Sequence, residues 1–162
     1  MNNPCPSETG CCPKFAPTSW DEKEFQWDGK LFIKDKVRCF MHIPLNFGKV
    51  MVRCVDKIDK AGAFTPQPPL ALSDHISPWT MELYLEVCKQ VPQADNVTIS
   101  GTFLSKVSEG PYKDTRLWCK QMQEWVIDKG KTIKRRLMYY TTCPKCAKHY
   151  GKNHVVYFAQ VS

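Results

Sequence analysis

Hydrophobic and polar positions alternate with two different periods along this chain, and the switch between periods divides it into elements. Val37, Cys39, Met41 and Ile43 recur at every second position, which predicts a strand with one apolar face. Pro44-Leu45-Asn46 breaks that run, and Asn46 suits an N-cap. Met51, Cys54, Val55 and Ile58 then follow at helical spacing to about Lys60, and Gly62 supplies a stop. The turn Pro66-Gln67-Pro68-Pro69 leads to a short strand near Leu70–Leu72 and a longer one over about Met81–Lys89.

The same order recurs downstream. A strand is expected over about Thr102–Val107. Gly110-Pro111-Tyr112 opens a second helix, with proline in its first turn. Trp118, Met122, Trp125 and Val126 form its apolar stripe, and Gly130 closes it. Strands follow near Arg135–Tyr140 and Val155–Val161. The last run is almost wholly apolar, which predicts a strand covered on both faces in the middle of a sheet.

Strand–helix–strand–strand thus appears twice. The expected fold class is α+β: duplicated β-α-β-β units with pseudo-twofold symmetry, an antiparallel sheet carrying two helices, and a ligand cleft between the halves. A single unit has too few elements to bury both its sheet and its helix, so pairing the halves is the economical solution. One domain is expected over 1–162. It divides into an irregular N-terminal arm (1–30), a first repeat (31–94) and a second repeat (97–162). The arm holds Pro4, Pro6, Pro13 and Pro17 and is expected to pack through Phe15, Trp20, Phe25 and Trp27 without forming a regular element.

Bulk properties narrow the class. A chain of 162 residues with 43% hydrophobic and 12% aromatic residues can bury a core. No apolar run approaches the roughly 20 residues of a membrane span, and no secretion signal is visible. A cytoplasmic protein without a membrane partner is the resulting expectation. The net charge of +7 is uneven: eight basic and no acidic residues lie from Lys129 onward, while residues 1–128 net −1. Such a basic segment attracts anions or nucleic acid, although a run of like charge commonly serves as a solvated face.

Candidate chemistry concentrates on a few residues. In the strand Trp79–Val87, Glu82, Tyr84 and Glu86 alternate with Met81, Leu83, Leu85 and Val87. Should the polar face line a cleft, Glu82 is a candidate general base or acid toward water and Tyr84 a hydrogen-bond donor to a developing oxygen. The alternative is a solvated sheet face. Glu109 either aims at the same cleft or favours the positive end of the following helix. Trp79, Tyr112, Trp118 and Tyr139 supply ring surface for an apolar or cationic guest. Trp118 and Trp125 also fit an ordinary core.

Nine cysteines without a secretion signal favour reduced thiols or a metal site over a disulfide framework. Cys143-Pro144-Lys145-Cys146 has the spacing of a zinc half-site. Cys11 and Cys12 are the candidate remaining ligands, with Cys5 as an alternative and His149 and His154 as substitutes. A redox pair, a disulfide and idle thiols are the other readings of the same residues. Cys39, Cys54, Cys88 and Cys119 fall inside predicted elements and are expected to be buried small hydrophobes.

Lys106-Val-Ser-Glu-Gly-Pro-Tyr112, a helix with Trp118 and Trp125, and Asp128-Lys-Gly130 together resemble the second-half signature of GyrI-like small-molecule-binding domains. The helix ending Lys60-Ala-Gly62 and the strand Trp79–Val87 fit the same plan, and the resemblance covers roughly residues 37–161. It implies a pseudo-twofold pair of β-α-β-β units around a ligand cleft. It also implies either stand-alone binding of toxic or lipophilic compounds, or hydrolysis of strained cyclopropane rings. The family often carries a pocket glutamate two residues before a tyrosine, and with Tyr139 as that tyrosine the position holds Leu137. Three functions are therefore carried forward. They are a stand-alone domain binding a lipophilic or aromatic compound, a hydrolase using a pocket carboxylate such as Glu82 or Glu109, and a nucleic-acid-binding module on the basic C-terminal segment. No cofactor is expected for chemistry.

Overall fold

The computed structural model describes residues 20–41, 43–65, 70–110, 114–140 and 154–161. Its elements run β1 (Lys23–Phe40), β2 (Ile43–Pro44), α1 (Phe47–Ala61), β3 (Ala71–Ser77), β4 (Thr80–Glu86), β5 (Asp95–Glu109), α2 (Thr115–Asp128), β6 (Ile133–Tyr140) and β7 (His154–Val161). The registered strand pairs are antiparallel, and with two helices the fold is α+β. The chain forms two compact units, residues 28–100 and residues 20–27 with 101–161.

In the first unit β4 lies between β1 and β3, with Ile33 opposite Leu85 and Ala71 opposite Leu85 across it. One face of these strands presents Ile33, Val37, Cys39, Met81, Leu83 and Leu85 to Val50, Cys54 and Ile58 of α1. The helix ends at Gly62, whose φ of 62° closes it in a left-handed cap. Its buried stripe is Val50, Cys54 and Ile58. Val55, assigned to that stripe by spacing, is 40% exposed. Asn46 makes no side-chain cap; its Oδ1 accepts instead from the Arg38 N–H at 2.8 Å and ties the helix start to β1.

Asp35 and Arg53 join β1 to α1 through two hydrogen bonds, Nε to Oδ2 at 2.9 Å and Nη2 to Oδ1 at 2.8 Å. Burial works against the charged carboxylate. The Lys36 N–H and the Arg53 guanidinium outweigh it and hold Asp35 below the usual carboxylate range.

In the second unit β7 lies between β5 and β6, as its unbroken apolar run predicts. Thus the last long strand of each unit is flanked by that unit's first and second long strands. Trp118, Met122 and Val126 of α2 pack on Leu104, Met138, Val155, Tyr157, Ala159 and Val161. Phe158 points to the opposite face, where Trp20, Phe25 and Trp27 lie at ring-centroid distances of 5.9, 6.0 and 5.4 Å. Trp27 also lies 4.3 Å from Phe103. Trp20, Phe25 and Trp27 therefore pack as expected, and Phe15 lies outside the described residues.

Several boundaries differ from the sequence reading. Residues 23–30, expected to be irregular, belong to β1. Gly29 adopts a φ of 63° inside that strand, so an Asp-Gly pair that looks like a chain reversal instead lets the strand continue. The first predicted strand stops at Phe40; Met41 turns at a φ of 48° and Ile43–Pro44 folds back as β2. β5 begins seven residues before its predicted start. α2 begins at Thr115 after Asp114, and Pro111 and Tyr112 lie outside the described residues.

Phe158→Ala removes the ring that Trp20, Phe25 and Trp27 surround and is expected to cost about 3–5 kcal/mol, read by denaturant unfolding. The Asp35 carboxylate stabilises fully above the ordinary carboxylate pKa, and its contribution is lost as pH falls through the depressed folded value. Asp35→Asn should therefore flatten the acid side of a melting-temperature profile and leave its shape near neutrality unchanged.

Candidate functional site

The pleat of β4 puts Glu82, Tyr84 and Glu86 on the face away from α1. The register aligns Lys34 and Leu72 on either side of Tyr84, and Lys36 and Asp74 on either side of Glu82. On this face Phe32 and Leu72 are fully buried and Tyr84 is 4% exposed, while Lys34, Lys36, Asp74, Glu82 and Glu86 make the rest of it charged. Phe32 meets the Tyr84 ring edge-on at 6.4 Å.

The two carboxylates differ in their engagement. Glu86 is tied to Lys30 at 2.5 Å and accepts from the Leu70 N–H at 3.2 Å, so it fastens strands together. Glu82 accepts the Tyr84 Oη–H on Oε2 at 2.5 Å. Its Oε1 lies 3.9 Å from Lys34 Nζ, beyond hydrogen-bond reach, and its side chain is 17% exposed. One oxygen of Glu82 is thus oriented by a phenol and the other is turned toward a cation without a direct bond. Asp74, opposite Glu82, adds a second carboxylate to this face. Sequence reasoning missed it, although the alternation of Leu70, Leu72 and Asp74 was visible.

The other predicted site residues are dispersed. Trp79 lies in the β3–β4 turn, 56% exposed, with its ring 5.7 Å from Phe40. Trp118 is buried beneath α2, the core position that its spacing also allowed. Tyr139 lies on the opposite face of that sheet, edge-on to Trp20 at 5.9 Å. Glu109 Oε2 is 3.5 Å from His154 Nε2, a cross-strand pair in which His154 is buried and Glu109 exposed. Tyr112 lies outside the described residues. Trp125, read as core, packs half-buried against the core of the second unit and also lines a cavity of about 200 Å³ with Glu22, Lys23, Glu24, Leu104, Lys129 and Lys131. The Lys106 and Lys129 ammonium groups lie 5.4 and 5.1 Å from its ring centre.

The proposed zinc ligands Cys11, Cys12, Cys143 and Cys146, the alternative Cys5, and His149 all lie outside the described residues. Among the described residues no three His, Cys, Asp or Glu side chains gather as a metal site. Cys39 and Cys54 are buried as expected, but Cys88 is exposed, because β4 ends at Glu86 and leaves it in the following turn. Cys119 is half-buried, with Sγ 2.9 Å from Tyr157 Oη. Burial first, and then the Asp35 charge and its hydrogen bond, push the Cys54 thiol up to about 11.

A family model described as bacterial hydrolase matches residues 3–161. Solved structures share the fold at low identity. The C-terminal domain of EcmrR is 14% identical with a TM-score of 0.68, over 88% of this chain and 98% of that one. A hydrolase from Listeria innocua is 11% identical with a TM-score of 0.63, over 88% and 92%. SAV2435 bound to tetraphenylphosphonium is 11% identical with a TM-score of 0.54, over 88% and 94%. A search of curated proteins finds no match.

The thiols separate by environment, and alkylation reads the difference. At pH 8, iodoacetamide should modify Cys88 readily and leave Cys54 protected, as seen by peptide mapping. Equal labelling of Cys88 and Cys54 in the folded chain would contradict the burial and the raised pKa described above.

Proposed function

We propose a function for this chain from the premise that it belongs to the bacterial hydrolase family: it binds a small lipophilic or aromatic compound and hydrolyses it with Glu82. The observation that carries the reading is the 2.5 Å hydrogen bond from Tyr84 to Glu82 on a strand face bordered by buried Phe32 and Leu72. Phe32, Leu72 and the Tyr84 ring offer apolar surface to a lipophilic guest beside charged neighbours, and an oriented carboxylate suits general-base work on water.

The chemistry follows from those groups. Glu82 takes a proton from water as the water oxygen attacks an electrophilic carbon, such as one in a strained cyclopropane. A ring carbon–carbon bond breaks, and its electron pair passes to a conjugated carbonyl of the substrate. Tyr84 gives that oxygen its proton and recovers one from Glu82 through their shared hydrogen bond. Water is consumed, the ring is opened, and both side chains return to their starting states.

This reading takes the recurring strand–helix–strand–strand order, with its recurring pairing scheme, as a duplicated GyrI-like unit. The neighbour solved with tetraphenylphosphonium supports lipophilic aromatic ligands as the compound class. It also favours a second reading, binding without turnover, in which Glu82 and Tyr84 serve recognition alone.

Product analysis with a cyclopropane-bearing aromatic, alongside tryptophan quenching by tetraphenylphosphonium, separates the readings. Hydrolysis predicts ring-opened product, with turnover reduced about 10²–10⁴-fold in Glu82→Gln and quenching retained. Saturable quenching without product supports binding alone. Undiminished turnover in Glu82→Gln overturns the proposed base, and the same result with Glu109→Gln would dismiss the other candidate carboxylate.

A further inference from the structure

We propose that the first unit docks on anionic lipid surfaces through the tips of two adjoining hairpins. Phe40, Met41, Leu45, Ile76 and Trp79 are 55%, 63%, 66%, 55% and 56% exposed. Phe40 and Met41 end β1, Leu45 precedes α1, and Ile76 and Trp79 flank the β3–β4 turn. Three contacts gather them at one end of the unit. The Cys39 N–H donates to the Trp79 carbonyl at 2.8 Å, the Leu45 N–H donates to the Arg38 carbonyl at 2.8 Å, and the Phe40 and Trp79 rings lie 5.7 Å apart. Single exposed apolar side chains are ordinary, but five large ones on neighbouring turns make a patch that calls for an occupant.

Charge identifies that occupant. Residues 36–55 and 75–81 contain Lys36, Arg38, Lys49 and Arg53 and no Asp or Glu. Arg53 is engaged by Asp35 and Lys36 lies across from Glu82, whereas Arg38, opposite Thr80 in the sheet register, and Lys49 on α1 are exposed. An anionic bilayer answers both features. Trp, Phe, Leu, Ile and Met enter the boundary between headgroups and acyl chains, while cations at their base meet the negative surface. A second copy meets the features poorly, because a twofold contact through this end sets its cations against those of its partner. The absence of a membrane-spanning helix, which led to the expectation of no membrane partner, does not bear on surface contact.

The test is flotation of the full chain with vesicles of phosphatidylcholine containing about one-third phosphatidylserine, against phosphatidylcholine alone. The chain is expected to float with the mixed vesicles, less so as salt rises. Phe40→Ser with Trp79→Ser should weaken partitioning at least about tenfold. Lys49→Glu, which leaves every apolar side chain in place, should lower binding to the mixed vesicles selectively. Failure of the unaltered chain to float at low salt overturns the proposal, as does flotation of both variants at its level. A concentration-dependent dimer that Trp79→Ser dissolves would place a second copy on the patch and overturn it too. None of these readouts depends on the ligand or on turnover.

Discussion

A strand with buried side chains on both faces must be covered on both, and two strands in this chain impose that demand. β4 gives Met81, Leu83 and Leu85 to α1 while Tyr84 on its other face is also buried. β7 gives Val155, Tyr157, Ala159 and Val161 to α2 while Val156 and Phe158 are buried on the reverse. One helix per unit satisfies one face only. The second face of β7 is met in part by the aromatic residues 20–27. The second face of β4 holds the Glu82–Tyr84 hydrogen bond, with buried Leu72 and charged Lys34, Lys36 and Asp74 as its cross-strand neighbours.

This constraint sorts the carboxylates by role. Glu86 is committed to Lys30 and to the Leu70 amide, and Asp35 to Arg53 and the Lys36 amide; both join elements. Glu82 is held by a neutral phenol from its own strand. A group held by fixed strand contacts is poorly placed to exchange protons with a guest. A group held by a phenol keeps an oxygen whose partner can change.

Much of the architecture was legible because its signals are local. The alternation in β4, the uninterrupted run of β7, the stripe at Trp118 and Met122, and the stop at Gly62 each follow from period and backbone preference. What was illegible depends on geometry beyond the window. Gly29 inside β1 carries the conformation of a turn yet extends a strand, so residues 23–30 could not be separated from a loop. Val55 fits the helical stripe of α1 by spacing but turns outward, because the contact surface is narrower than the stripe. For the site, Glu82 and Tyr84 could be placed on one face by the pleat alone. Their hydrogen bond, the presence of Asp74 across the strand, the pairing of Glu109 with His154 and the exposure of Trp79 required the register. Trp125 packs on the core as its spacing suggests, but nothing in that spacing reveals that two lysines frame its ring.

The Glu82–Tyr84 pair belongs to positions two apart on a single strand. Its separation is therefore set by one pleat of backbone instead of by the meeting of distant segments. Neighbouring Phe32 and Leu72 come from other strands, so under the proposed hydrolysis guest preference and acid–base geometry would reside in separately variable parts of the chain. On that proposal, exchanging those neighbours for smaller or larger side chains would retune which compounds are accepted while the Glu82–Tyr84 couple keeps its spacing.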